Sequence, residues 1–473
     1  MALQFIPQNP GGIGGPERRI IRSHVMRGKN VGKQRQSIKR KKLTELTHIS
    51  NARVGGYVLP RQVLWGDLCF TSFPQQLDSE STGLMHRWFF DISDALFPPQ
   101  FCAKYDIIKS IWVNCILADE AYFHSTLAIS ASYVDFCRRK PLVSSKTLHH
   151  ISQAYALVNT KLSGPFSVSD SAIAAVISLA IYQQIHHQPA TGLVHLHGLY
   201  HMIQLRGGIG RLMQENRALA LKSLRLDIEL AMQNGTPPIF DEHTIPIRAV
   251  LCLTTFSSGN NEPIGKSPEV SLLMLGIFRF AALLNEVAGR GGPKLDPLDY
   301  TETILSFLYS LVEASPLMKT STPPGGHHAD AMHLAMLAFM TTLLPEYTRD
   351  GPTYSILSVR LSIAAQHSHL TASGSCGSDT LLLLWILFIA GISVLNLADH
   401  HWLSQLIFDV CGRLNLHSWD SIQRQLAYFP WIFALHETPG RYLWEDIVRS
   451  EGISYSIIDI NCRNTGNHTK HHL

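Results

Sequence analysis

Residues 171–187 read SAIAAVISLAIYQQIHH. The stretch is apolar almost all round, and Ser169 or Asp170 just before it supplies an N-cap. A helix that is apolar on every side needs neighbours on every side. The stretch therefore predicts a central core helix inside an all-α body.

Its neighbours in the chain carry the same periodicity. TLHHISQAYALVNTKL precedes it, with Ser144 or Ser145 as cap and Gly164-Pro165 as stop. Before that, Asp119 caps EAYFHSTLAISASYVDFCRRK, whose apolar face is Ala121, Leu127, Ala128, Ala131 and Val134. Arg138, Arg139 and Lys140 suit the negative end of that helix, and Pro141 ends it. Asp106 to Leu117 reads as a helix with Ile107, Ile111 and Cys115 on one stripe. Leu84, Trp88, Ile92 and Ala95 mark a further one, stopped by Pro98 and Pro99. On the C-terminal side, residues 191–206 form a helix ending at Gly207-Gly208, and Ile209 to Met232 continue as one longer helix.

Around residue 234 the texture changes. Pro237, Pro238, Pro246, Gly259, Pro263, Gly265 and Pro268 punctuate a loop-rich hinge. Helices resume near 269–288, 299–314, 327–345 and 354–372. The last third holds DTLLLLWILFIAGISVLNLA, WLSQLIFDVCGRL and an end rich in tryptophan, with Trp419, Trp431 and Trp444. No run alternates apolar and polar residues as a strand requires, so no strand is predicted.

The N-terminal part differs in kind. Residues 18–42 hold eleven basic side chains: Arg18, Arg19, Arg22, Arg27, Lys29, Lys33, Arg35, Lys39, Arg40, Lys41 and Lys42. Glu17 is the only acid in residues 1–44, so the arm carries +10, while residues 45–473 carry −6. Gly28 and Gly32 interrupt any helix there. The arm is expected to be disordered alone and to order on a polyanion. Residues 1–80 then form arm and linker, 81–450 the helical body and 451–473 a tail.

Several chemistries are disfavoured. The start has no apolar segment of the secretory kind. It is Arg-rich as a mitochondrial presequence is, but lacks the serine run and amphipathic repeat. The eight cysteines stand at least thirteen positions apart, which fits neither a Cys-x-x-Cys zinc site nor a disulfide scaffold, and points to a reducing compartment. His197 and His201 share a helix face and His195 is near, but no third ligand or adjacent glutamate completes a zinc motif. The histidines of the tail, His468, His471 and His472, read as a solvated end. LRGG at 205–208 and GRGG at 289–292 lack the strand–loop–helix setting of a phosphate loop and read as helix caps. No nucleophile elbow, dinucleotide fingerprint or metallopeptidase motif occurs. Catalytic, cofactor and metal residues are therefore expected to be none. The nineteen-residue apolar run Thr380–Ala398 has the length of a bilayer span, yet no basic flank would orient it, and a core helix is the reading preferred.

The segment RRIIRSHVMRGKNVGKQRQ resembles the start of a group of fungal regulator-like proteins. FFDISDALFP (Phe89–Pro98), ADEAYFHSTLAISASYVD (Ala118–Asp135), HLHGLYHMIQLRGGIGRL (His195–Leu212), LLWILFIAGIS (Leu383–Ser393) and FPWIFALHETPGRYLWE (Phe429–Glu445) resemble the helical regulatory domain of fungal-specific transcription factors. The resemblance implies an all-α regulatory domain, a nuclear location and control of a metabolic or secondary-metabolite gene set. It departs in one respect: residues 1–68 contain no cysteine, so the six-cysteine zinc cluster usual at that end is absent there. Lys39, Arg40, Lys41 and Lys42 satisfy a nuclear-localisation pattern. Arg18, Arg19, Arg22, Arg27, Lys29, Lys33 and Arg35 are the candidate DNA phosphate contacts, with His24 beside Arg22 and Arg27 within reach of base edges. The expected partners are DNA through the arm, other transcription regulators, or a second copy in a dimer, and no membrane. The alternative is a nuclear co-regulator with no DNA affinity of its own, ahead of an enzyme or a membrane-anchored protein.

Overall fold

A computed structural model describes residues 73–88, 96–103, 111–137, 143–240, 268–289, 293–318, 326–344, 354–372, 377–395 and 401–450. The chain divides into two compact units, Met1–Gly66 and Asp67–Leu473. Every described residue lies in the second unit.

The described residues form sixteen helices and no strand. The first eight are α1 (Ser79–Arg87), α2 (Ile111–Ala118), α3 (Glu120–Cys137), α4 (Ser145–Leu162), α5 (Asp170–Ile185), α6 (Pro189–Leu205), α7 (Ile209–Glu215) and α8 (Arg217–Asn234). The others are α9 (Pro268–Gly289), α10 (Pro297–Ala314), α11 (Gly326–Thr341), α12 (Ser355–Ala372), α13 (Gly377–Ser393), α14 (His401–Arg413), α15 (Trp419–Leu426) and α16 (Phe433–Ser450). One isolated bridge joins Cys102 to Leu295.

Helix α5 is the SAIAAV stretch, buried without a break from Ala172 to Ile185. Ser169 caps it by accepting from the Ala172 amide. Four alanines favour the helix and leave little bulk, so α3, α4, α6 and α8 all pack on it. Gly192 lets α6 approach: an added Cβ there would meet Leu230 at 3.1 Å. The C-terminal helices use the same scheme. α13 is buried from Leu382 to Ala390 and lies against α11, α12, α14 and α16. The apolar run of bilayer length thus supplies a core helix. In α9, Leu272–Gly289 also meets the length and composition of a membrane-crossing helix, and its Ile277, Phe280, Ala281, Leu284 and Val287 are buried.

Capping follows the sequence closely. Asp119 accepts from the Tyr122 amide and Ser144 from that of Thr147. Gly207 (φ 107°) and Gly208 (φ 88°) end α6, where the Gly208 amide donates to the Ile203 carbonyl and the Gly207 amide to Gln204, the bonding of a Schellman stop. One expectation fails. Ile209–Met232 is not one helix, because it breaks at Asn216. Asn216 is extended (φ −153°, ψ 81°), caps α8 through the Leu219 amide and donates its side-chain N–H to Asp170 at 2.9 Å. That tertiary bond to the start of α5 holds the break, and no local pattern announces it.

Two stability tests follow from this core. Ile177 has no exposed surface. Ile177→Ala is expected to cost about 2–5 kcal/mol in denaturant unfolding, the range for a sealed large-to-small change. Acid is expected to destabilise the fold. Burial pushes His150 and His333 from 6.5 down to about 4, and His436 down to about 3. The unfolded chain takes up these protons at about 6.5 and the fold does not, so their stabilisation is present above pH 6.5 and is lost as pH falls toward 4. Asp227 acts oppositely, since its folded value is raised to about 6, but three histidines outweigh one carboxyl. The melting temperature should therefore fall between pH 7 and pH 5, and His436→Gln should flatten that fall.

Candidate functional site

The candidate nuclear-localisation residues, Lys39, Arg40, Lys41 and Lys42, lie outside the described residues. So do the candidate phosphate contacts, Arg18, Arg19, Arg22, Arg27, Lys29, Lys33 and Arg35. The described chemistry is therefore that of the helical body, and it concentrates around α3–α8.

Ion pairs and caps join successive helices there. Asp119, at the start of α3, pairs with Lys161 near the end of α4, and the Lys161 ammonium also donates to Ser171 of α5 at 2.7 Å. Asp135, late in α3, accepts from the Ser144 amide at 3.0 Å and from the Thr147 hydroxyl at 3.1 Å. Arg206 bridges Asp170 and Glu215, and Arg217 reaches Asp299 and Glu302 of α10.

Three polar sites within the body were not singled out from the sequence. The Nδ1 atoms of His124 and His150 lie 2.9 Å apart between α3 and α4, so one ring donates and the other accepts. Glu120 lies 4.0 Å from His124 Nε2, and burial lowers both histidines. Asp227 of α8 accepts from the Ile239 and Phe240 amides at 2.8 and 3.0 Å and from the Tyr309 hydroxyl at 2.7 Å. Burial nevertheless raises its carboxyl to about 6. Lys222 of α8 faces two indole rings, Trp112 at 4.6 Å and Trp88 at 5.4 Å. A charged residue inside the apolar pattern LRLDIELAM is the one sequence trace of Asp227, and Lys222 becomes visible only when the distant Trp88 and Trp112 fold onto it.

Two contacts look like nucleophile–base pairs and are not. Ser132 Oγ lies 3.0 Å from His186 Nε2, and Thr342 Oγ1 lies 2.9 Å from His436 Nε2. Each hydroxyl already gives its single proton to a helix carbonyl, Ala128 at 2.8 Å and Phe339 at 2.7 Å. The imidazole must then be the donor, which a general base cannot be. His436 confirms this tautomer, because its Nδ1 accepts from the Ile432 amide at 3.1 Å. Burial pushes the thiols of Cys102, Cys115 and Cys411 up to about 12, far from thiolate reactivity. His195 turns toward Tyr155, whose ring stacks on it at 5.9 Å, whereas His197 and His201 lie on the exposed side of α6. The structure therefore does not bring these three histidines together. Among the described residues no three His, Cys, Asp or Glu side chains are placed to hold a metal.

Among the described residues, these contacts join the helices into one body. Tyr309→Phe tests the Asp227 joint. It should cost about 1–3 kcal/mol for the unpaired acceptor. It should also raise the Asp227 carboxyl further, since Tyr309 holds it down, as read from side-chain carboxyl resonances against pH.

Residues 106–229, which include α2 to α7 and most of α8, match the family model described as the fungal specific transcription factor domain. No curated protein and no solved structure matches the chain.

Proposed function

From a chain that carries a fungal specific transcription factor domain at residues 106–229, we propose a nuclear regulator of transcription acting on a metabolic or secondary-metabolite gene set. The family match carries the coarser reading, a transcriptional regulator, and points to a non-enzymatic role. The finer reading joins that domain to the charge of the arm.

In this reading the helical body, residues 81–450, is the regulatory or dimerising module. Lys39, Arg40, Lys41 and Lys42 direct nuclear import. Arg18, Arg19, Arg22, Arg27, Lys29, Lys33 and Arg35 contact DNA phosphates. Such contacts bind the backbone and position the protein without reading sequence. One observation favours a second reading. Residues 1–68 contain no cysteine, so no zinc cluster in that stretch reads bases. A co-regulator that borrows its DNA specificity from a partner, and uses the arm for import alone, fits that fact.

Duplex binding across a salt series separates the two, with the full chain and with a chain lacking residues 1–44. If about six arm cations meet phosphates, the log–log slope should be roughly −5. Binding that disappears with the arm supports direct contact. No binding at low salt by either chain supports the co-regulator.

A further inference from the structure

Helix α6 presents one apolar face to the body and a second, charge-poor face to solvent. Gly192, Leu196, Leu199, Met202 and Ile203 are buried on the first. Thr191, Val194, Gly198, His201 and Leu205 are exposed on the second. Val194 is 67% exposed and Leu205 79%. Apolar side chains scattered singly over a surface need no partner, but these share one stripe along the helix. Their spacing alternates three and four residues, the a/d repeat of a coiled-coil seam. Such a seam is shaped for another helix.

The composition of α6 points to which helix. It contains no Asp, Glu, Lys or Arg, whereas every other described helix of sixteen residues or more contains at least one. The positions beside a seam set partner choice through their charges. The exposed ones here are His197 and Gln204, so no carboxylate, lysine or arginine directs a charged partner. A surface that meets its own copy across a two-fold axis sets like charges face to face, and a seam without them avoids that repulsion. Gly198 stands midway between Thr191 and Leu205, and an added Cβ there would meet nothing within 4 Å. With no side chain at the middle, two backbones can approach closely.

We propose that the outer face of α6 is a self-association surface. The α6 helix of a second copy packs on it antiparallel, with the two-fold axis at Gly198. Each Leu205 then covers Thr191 of the partner subunit, and each Val194 packs beside His201 of the partner subunit. The proposal rests on the reading of the body as a dimerising module and gives that role a face.

The test follows the full chain by sedimentation velocity over a concentration series, at constant salt and without DNA. Wild type should pass from monomer to dimer as concentration rises. Gly198→Arg sets two guanidinium groups face to face at the axis and should weaken dimerisation at least about tenfold. Its side chain enters open space, so the melting temperature in dilute solution should stay unchanged. His201→Leu places leucine at a d position and should tighten the dimer. Gly198→Cys should, under mild oxidation, give two chains joined through residue 198, as read by peptide mapping. A dimer that Gly198→Arg leaves intact, or that His201→Leu fails to tighten, overturns this face while the dimerising reading stands. A chain that is monomeric at every concentration overturns both. Should Gly198→Arg fail to fold, the cross-link decides, and no linkage through residue 198 overturns the face.

Discussion

The fold depends on α5 being sealed on all sides. A helix satisfies its own backbone except at its ends, so sealing it moves the polar problem to two places. At the N-terminal end, Ser169 caps the helix and Asp170 meets Arg206 and Asn216. At the C-terminal end, Gln183 donates to Tyr155 at 2.6 Å and Gln184 to Gln233 at 3.4 Å, while His186 meets Ser132. These contacts name the helices that must surround it: α3, α4, α6 and α8. Sealing one helix therefore fixes the places of four others.

Acids act as joints in this scheme. Asp119, Asp135 and Asp170 each stand near a helix end; the first two accept from the next helix or its cap, and Asp170 from Arg206 and Asn216 farther along the chain. A carboxylate at a helix N-terminus gains from the amides and the dipole there, and a cation from a neighbouring helix adds to that without a new cost of burial. Asp227 is the exception, because it sits inside α8 and has no ion pair among the described residues. Three donors hold it, yet burial still raises its carboxyl to about 6. Lys222, on the same helix, shows the same conflict with opposite charge.

Much of this was legible because it is local. Ser144, Ser169 and Asp119 cap the helices that their positions announce, and Gly207-Gly208 ends α6 through the positive φ that glycine tolerates. The all-round apolar pattern of residues 172–185 identified the centre of the body. What stayed hidden is non-local. Asn216 is an ordinary residue in a helical run until Asp170 reaches it from far along the chain. The His124–His150 pair joins two helices whose separate patterns read as complete. Lys222 looks like a solvated lysine on a charged helix, and only two tryptophans from other helices make it unusual. Of the site residues named from sequence, those of the arm belong to a segment whose chemistry is charge rather than shape.

The matched segment is not closed at its C-terminal edge. It ends at Glu229 within α8, and α10, outside the segment, packs on that helix, where the Tyr309 hydroxyl donates to the Leu224 carbonyl at 3.1 Å. The polar ties agree: Arg217 reaches Asp299 and Glu302, and Asp227 needs the hydroxyl of Tyr309 and the amides of Ile239 and Phe240. Cutting after Glu229 would strip a buried carboxyl of all three donors and leave Arg217 without its acids. The family segment is thus one side of a larger helical body. α8 also packs on α12, so this one helix ties the matched segment to the C-terminal helices.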